Sequence, residues 1–503
     1  MKKTCCITID LGSSSCKTTL FNLKGQILSR VDQSYETYYP QKSWAEQNPD
    51  DWWKIVIRSI REILEKSSID KKTVRAIGVT GQMHSFVPVD GNGKAVFPCM
   101  TLLDRRSIQE CKKIKSRIGD KRMYEITGAR LFPTVTAPKI LWFKDNCPEL
   151  YRRTSFFLAP KDYIRFKLTG NIATDPIDAA GTLLYNIVDR KWSDEMLDAT
   201  GVSRRKLPSI KEGTHIAGKL KKEVSRITGL SEDISVIIGG GDEIATLGIG
   251  VTEPGDVYEH LGTTGAILVC TNELRIDPDM RVELYPHPVK GRWLIGGATA
   301  TMGAALNWYV KNFLEDTFIK KGGSGFCKLL DDLAMRHDKR NSELLFLPFL
   351  AGERAPLWDY NAKGAIVGMT LKHSRADLAY ALYKGLSFSL YSILKVIEEL
   401  ELLINQVYTS GSGAQSSFWR QLRANIYGKR IYYPVRFEGA ALATLIMIGK
   451  ALGVFSSLSE KAKSLIEIRD TSIPDNHLYS QHQKSYDFYN ETYSQLKSLF
   501  NKL

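Results

Sequence analysis

Ile7-Thr8-Ile9-Asp10-Leu11-Gly12-Ser13-Ser14-Ser15-Cys16-Lys17-Thr18-Thr19-Leu20 returns in outline at Val257-Tyr258-Glu259-His260-Leu261-Gly262-Thr263-Thr264-Gly265-Ala266-Ile267-Leu268. Each copy has a β-like stretch, a Leu-Gly step, small hydroxyl residues and a second β-like stretch. The pattern predicts a β-hairpin with a hydroxyl-rich tip. Backbone N–H groups and hydroxyls at such a tip can cradle phosphate, and Asp10 can hold Mg²⁺ directly or through water. The echo predicts two domains of one ancestry, each offering a hairpin to one phosphate chain. Gly12 to Thr18 is a near miss to a P-loop. The second Gly before Lys17 is missing and the next segment reads as strand, so a P-loop is rejected.

Shortly before the second copy stands Gly239-Gly240-Gly241-Asp242-Glu243, led in by the β-like run Ile234-Ser235-Val236-Ile237-Ile238. Three glycines let the backbone turn sharply and let other groups come close. Asp242 behind them can accept a proton or hold a metal. A surface turn with a solvated Asp-Glu pair is the plainer alternative. Upstream, Asn48-Pro49-Asp50-Asp51 opens a helix carrying Trp52, Val56 and Ile60. The strand Val74 to Thr80 runs into Gly81-Gln82-Met83-His84. Loops at strand ends carry ligands in α/β folds, and His84 could hydrogen-bond a polyol. Asp104 and Arg106 can bind a polar ligand or pair with one another. Thr136 to Asn146 reads as a helix begun by Pro138, and Phe437-Glu438-Gly439 as the start of a small-residue helix. Val407 to Ser410 is a strand leading into Gly411-Ser412-Gly413-Ala414, where glycines would let a base or ribose approach. This is close to a dinucleotide fingerprint. Ser416 replaces the third Gly and no acid lies at the expected offset, which disfavours a Rossmann oxidoreductase.

The 503 residues exceed one typical domain. Hydrophobic content of 43% and charged content of 25% are those of a soluble globular protein. No apolar run is long enough for a membrane span. The segment after Met1-Lys2-Lys3 lacks the apolar core of a signal peptide. Eight scattered cysteines without a C-x-x-C pair read as reduced thiols, which predicts a cytoplasmic protein. The net charge of +14 is dispersed among 55 acidic residues, so no nucleic-acid partner is expected. A positive field does favour an anionic small substrate such as ATP.

Together these motifs resemble the FGGY carbohydrate kinases over essentially the whole chain. The matches are Asp10-x-Gly12-Ser13-Ser14, Gly81-Gln82-Met83-His84, Lys139-x-x-Trp142, Gly240-Gly241-Asp242, Gly262-Thr263-Thr264-Gly265, Gly352-Glu353-Arg354-x-Pro356, Gly364-x-x-x-Gly368 and Gly411-x-Gly413-Ala414. The resemblance implies an α/β protein of two ribonuclease-H-like, actin-like domains, 1–248 and 249–503, with a catalytic cleft between them. It implies ATP-dependent phosphorylation of a sugar or polyol hydroxyl with Mg²⁺. It makes Asp242 the catalytic base, Asp10 the metal or phosphate-loop acid, and Thr263 a γ-phosphate contact. Gly12, Ser13, Ser14, Gly262, Thr264, Gly411, Gly413 and Ala414 would bind ATP. Met83, His84, Asp104 and Glu243 would border the acceptor, and a homodimer stays open.

Gly-Gln-Met-His is most similar to the xylulokinase branch. Leu102, Glu243 and Lys384 depart from it, standing where Trp, Asn and an acid or Gln are usual. The first two border the sugar. The alternatives are another acceptor, such as gluconate, another pentulose or a polyol, and an actin-like ATPase that binds a partner without phosphorylating a sugar.

Overall fold

The computed structural model describes residues 4–314, 326–337, 343–435 and 439–503. Phe437 and Glu438, read above as the opening of a helix, lie outside the described residues; the helix itself runs Gly439–Ala451. The chain forms two compact units. The first holds residues 1–252, 284–293 and 438–466, and the second holds 253–283, 294–437 and 467–503.

The first unit is built on strands β1 (Cys5–Leu11), β2 (Ser15–Asn22), β3 (Ile27–Ser34), β4 (Val74–Gly81), β5 (Ile216–Lys219), β6 (Ser235–Ile237) and the short β7 (Gly240–Gly241). Their order is β5-β6-β4-β1-β2-β3, with β7 also paired to β4. β1 is antiparallel to β2 and parallel to β4, and β6 is parallel to β4. Alternation sorts the two faces of the sheet. Ile7, Ile9, Leu11, Ile77 and Val79 join Trp52, Val56, Ile60, Tyr163 and Ile164 in one core. The first three of those partners come from the helix Pro49–Ser67. It begins as its sequence predicts: Asn48 caps it by accepting from the Asp50 N–H, and Pro49 takes the first turn. Trp52 is fully buried, and Trp52→Ala would cost about 3–5 kcal/mol. On the opposite face Gly78 lets the helix Gly439–Ala451 close in, for a Cβ there would sit 2.4 Å from Thr444 Cγ2.

The second unit repeats the plan. Its strands are β8 (Asp256–Leu261), β9 (Gly265–Thr271), β10 (Trp293–Ala298), β11 (Gln406–Ser410), β12 (Arg430–Pro434) and β13 (Ile468–Ser472), in the order β10-β9-β8-β11-β12-β13. β8 is antiparallel to β9 and parallel to β11, β11 is parallel to β12, and β13 closes the edge antiparallel. Reading β1 for β8, β2 for β9, β4 for β11 and β6 for β12 superposes the two schemes. The echo in the sequence is therefore a duplication of topology, the ribonuclease-H-like arrangement twice over. The helices Arg375–Glu399 and Ser417–Tyr427 supply its apolar layer through Tyr383, Phe388, Tyr391 and Trp419. Lys384, one of the departures noted above, is buried in the first of these helices, and burial lowers its pKa to about 8.

Candidate active site

In both units the predicted loops lie at the carboxyl ends of neighbouring parallel strands, where α/β sheets carry ligands. In the first unit Asp10 pairs in register with Thr80, and Leu11 with Gly81. The β1–β2 hairpin turns on a Gly12 N–H to Ser15 carbonyl bond of 3.0 Å, leaving Ser13 and Ser14 exposed. Two side chains brace it from behind: Gln47 donates to the Ser13 carbonyl at 2.7 Å, and the Tyr35 hydroxyl donates to the Gly12 carbonyl. Asp10 is half-buried, and burial lifts its pKa against the opposing pull of Lys17. A carboxylate so placed gains from a cation. Among the described residues no three metal-ligating side chains converge. One carboxylate is nonetheless a donor set that suits Mg²⁺ when phosphate and water supply the rest.

Beside this hairpin the three-glycine loop is threaded against β4. β7 pairs Gly240 with Thr80 and Gly241 with Gly81. Gly239 has φ 76°, and a Cβ there would lie 1.9 Å from the Val79 carbonyl oxygen, so only glycine fits. At Gly241 a Cβ would meet Met83 Sδ at 2.6 Å and Asp178 Oδ1 at 3.2 Å. At Gly181 it would meet Met83 Cε at 2.9 Å and His84 Nδ1 at 3.4 Å. Met83, His84, Asp178, Gly181 and Gly241 thus form one wall, and Asp242 and Glu243 follow it directly. Asp242 opens a 3₁₀ turn anchored by the buried Ile244. Asp242 is exposed as a residue, yet the protein around its carboxylate strips away enough water to hold its pKa well above the usual carboxylate range. The charges of Glu243, Asp178 and Asp10 push the same way.

His84 sits in the left-handed region at φ 58°, uncommon for a residue with a Cβ. Its Nδ1 lies 2.9 Å from the Gly181 carbonyl. That partner can only accept, so Nδ1 carries the proton. Lys139 holds the strained backbone. It is fully buried and donates to the carbonyls of His84 at 2.6 Å and Thr101 at 2.7 Å. Burial brings its pKa down to about 7, with Cys99 and Asp104 opposing. The Thr136–Asn146 helix therefore does more than amphipathic packing. Trp142, one turn on, meets Trp44 edge-on at 5.2 Å, and the Arg106 guanidinium lies 3.6 Å from the Trp44 ring centroid. Arg106 reaches Asp104 at 2.6 Å and Glu46 at 2.7 Å. Asp104 is fully buried, and it also accepts from the Ala45 N–H at 2.7 Å. Of the two parts its sequence leaves open, the ion pair is the one the structure builds. Both carboxylate oxygens are engaged there.

The sequence reading missed the charged cluster behind the wall. Lys161 Nζ lies 2.5 Å from Asp162, 2.9 Å from Asp175 and 3.1 Å from Asp178, and Arg165 lies 2.7 Å from Asp162. All five side chains are buried. Burial alone would lower the Lys161 pKa, but the three carboxylates more than reverse it. Burial raises the Asp178 pKa well above the usual range, against the pull of Lys161. One signal was available: Asp175-Pro176 is a helix start, and Asp175 caps the helix Pro176–Gly181 by accepting from the Ile177 and Asp178 N–H groups.

The second unit builds a matching hairpin. Gly262 N–H donates to the Thr264 carbonyl at 3.0 Å, and Thr263 and Thr264 are exposed. The hairpin leans on the start of the helix Gly303–Phe313: Gly303 N–H donates to the Gly262 carbonyl at 2.9 Å, and Met302 N–H to that of Thr263 at 3.0 Å. Buried Glu353 fixes that start by accepting from the Ala300 N–H at 2.6 Å and the Ser389 hydroxyl at 2.6 Å. His260 and Ser410 are register partners, so the Gly411–Ala414 loop comes out beside the hairpin. Gly411 has φ 87°, and a Cβ on it would lie 2.5 Å from the Leu261 carbonyl oxygen. Gly262, Thr263, Thr264, Gly411, Gly413 and Ala414 are thereby gathered at one end of the second sheet.

Models of the FGGY family of carbohydrate kinases match the chain twice, the N-terminal domain over residues 5–248 and the C-terminal domain over 257–451. The chain belongs to the FGGY family of carbohydrate kinases. It is 31% identical to the xylulose kinase of Bacillus subtilis over 98% of this chain and 97% of that one. The crystal structure of gluconate kinase from Lactobacillus acidophilus superposes with a TM-score of 0.92 at 27% identity, covering 100% of both chains. Ligand-bound xylulose kinase from the same organism gives 0.92 at 27% identity over 99% of both. As a member of the FGGY family the protein is an ATP-using sugar kinase with two ribonuclease-H-like domains. Among the described residues no helix is long and apolar enough to cross a membrane.

Proposed function

We propose that this FGGY kinase phosphorylates a ketopentose, with D-xylulose the first acceptor to test. The observation that carries the reading is the wall of Met83, His84 and Gly241 leading into Asp242 within the first unit. A sugar hydroxyl is a poor nucleophile whose proton must leave as the bond to phosphorus forms. Asp242, raised in basicity by burial and then by neighbouring carboxylates, accepts that proton. Exposed Ser13, Ser14, Thr263 and Thr264 and the N–H groups of their hairpins contact the phosphates, and the Gly411–Ala414 loop takes the nucleoside. Asp10 would hold Mg²⁺, which would neutralise phosphate charge. Asp104 positions the neighbouring loop through Arg106 rather than touching the acceptor.

Relatives named xylulose kinase support the acceptor class, and the gluconate kinase fold-mate supplies the second reading. Cys6, Cys16, Cys99, Cys111 and Cys147 are thiols outside any disulfide, in keeping with a reducing cytoplasm. Coupled detection of ADP over a panel of sugars tests the proposal. ADP release that requires D-xylulose is the expected result. Release without any sugar would favour an actin-like ATPase, and release with gluconate alone would move the acceptor class.

A further inference from the structure

The cations packed around the acceptor wall are already committed. Lys161 is held by Asp162, Asp175 and Asp178, Arg165 by Asp162, Arg106 by Asp104 and Glu46, and Lys139 by two carbonyls. The carboxylates are in excess. Asp178 is 4% exposed, with Oδ2 on Lys161 and Oδ1 turned toward Gly241. Asp178 also shares with His84 the lining of a cavity of about 20 Å³, together with Thr136, Thr174 and Thr182. That is room for a water molecule and no more. Asp178 thus borders the same small cavity as the residue read as gripping the sugar.

We propose that Asp178 is a specificity-determining residue of the acceptor site, admitting uncharged polyhydroxylated acceptors and turning away those that carry a carboxylate. The inference rests on the first unit being the acceptor site. The charge of Asp178 already hinders the ionisation of Asp242, on top of burial and Glu243. The carboxylate of an aldonate would enter the same field as a further like charge, with Lys161 shielded behind Asp178. An uncharged ketose meets no such penalty and can donate its hydroxyls to the carboxylate.

The test compares kcat/KM for D-xylulose and D-gluconate in the wild type and in Asp178→Asn, with thermal unfolding as the folding control. The wild type prefers the ketose. Asp178→Asn narrows the preference about tenfold or more, chiefly by raising kcat/KM for gluconate, and leaves the KM for ATP unchanged. An unchanged ratio, or equal losses on both acceptors, overturns the proposal. A measurement on the wild type alone guards against a variant that does not fold: gluconamide, the uncharged analogue, inhibits about tenfold more tightly than gluconate, and equal inhibition overturns the proposal. Activity on gluconate above that on D-xylulose in the wild type overturns it too while leaving the acceptor site in place. Absence of ADP release with every sugar instead overturns the reading of the first unit on which the proposal stands.

Discussion

Gly241→Ala separates the packing of the three-glycine loop from its function. The backbone at Gly241 has φ −56°, which any residue adopts, so the substitution carries no conformational penalty. The added methyl would lie 2.6 Å from both Cγ and Sδ of Met83. Methionine is flexible and can swing away, so stability should fall by only about 1 kcal/mol, the low end for an overpacked site. Met83 swings at the expense of its place in the wall proposed to receive the acceptor. Losing that contact is worth about 1–2 kcal/mol, or about 5- to 30-fold in acceptor KM, while the ATP KM stays unchanged. Coupled ADP assays with each substrate varied in turn give the two values, and thermal unfolding gives the stability. Met83→Ala makes room for the methyl, so Gly241→Ala should add little in that background. A folded Gly241→Ala enzyme with normal acceptor KM would refute the reasoning, as would full additivity with Met83→Ala.

Gly239→Ala should behave in the opposite way. Its methyl would meet backbone, the Val79 carbonyl, at 1.9 Å, and stability should drop by more than about 3 kcal/mol in a denaturant titration. Lys139→Met should change the pH dependence of stability. The folded pKa of Lys139 is about 7, below its unfolded value, so between pH 7 and that value the unfolded chain binds more protons and stability rises with pH. The wild type should therefore gain, relative to Lys139→Met, about 1.4 kcal/mol per pH unit above pH 7, measured to about pH 8.5 where cysteines begin to titrate. Below pH 7 the difference should be flat. Thr263→Val should raise the ATP KM about tenfold by removing one exposed hydroxyl at the hairpin tip and leave the acceptor KM alone, read from the same coupled assay.

The twin hairpins were legible because each is a local signal: Leu-Gly, then hydroxyls, between strands of residues 5–22 and 256–271. The three-glycine loop was legible for the same reason, and Gly239 is glycine on steric grounds alone. What stayed hidden depends on contacts between distant segments. Lys139 stood in a matched motif with no role attached, and only the fold puts its ammonium on the carbonyl of His84, 55 positions away. Asp104 could have been a ligand or an ion-pair partner, and the sequence does not show that Ala45 and Trp44 come to meet it and Arg106. The Lys161 cluster escaped notice because its acids are spread from Asp162 to Asp178, and a buried ion pair has no periodicity to betray it.

The most direct test of the account is kcat of Asp242→Asn. The substitution keeps the shape of the side chain and removes the proton acceptor. If Asp242 is the base, kcat falls on the order of 10²-fold or more, while the ATP KM stays nearly intact, the acceptor KM shifts only modestly and the Mg²⁺ dependence is unchanged. A near-normal kcat in a folded Asp242→Asn enzyme would contradict the account, and a shifted Mg²⁺ dependence would make Asp242 a metal ligand instead.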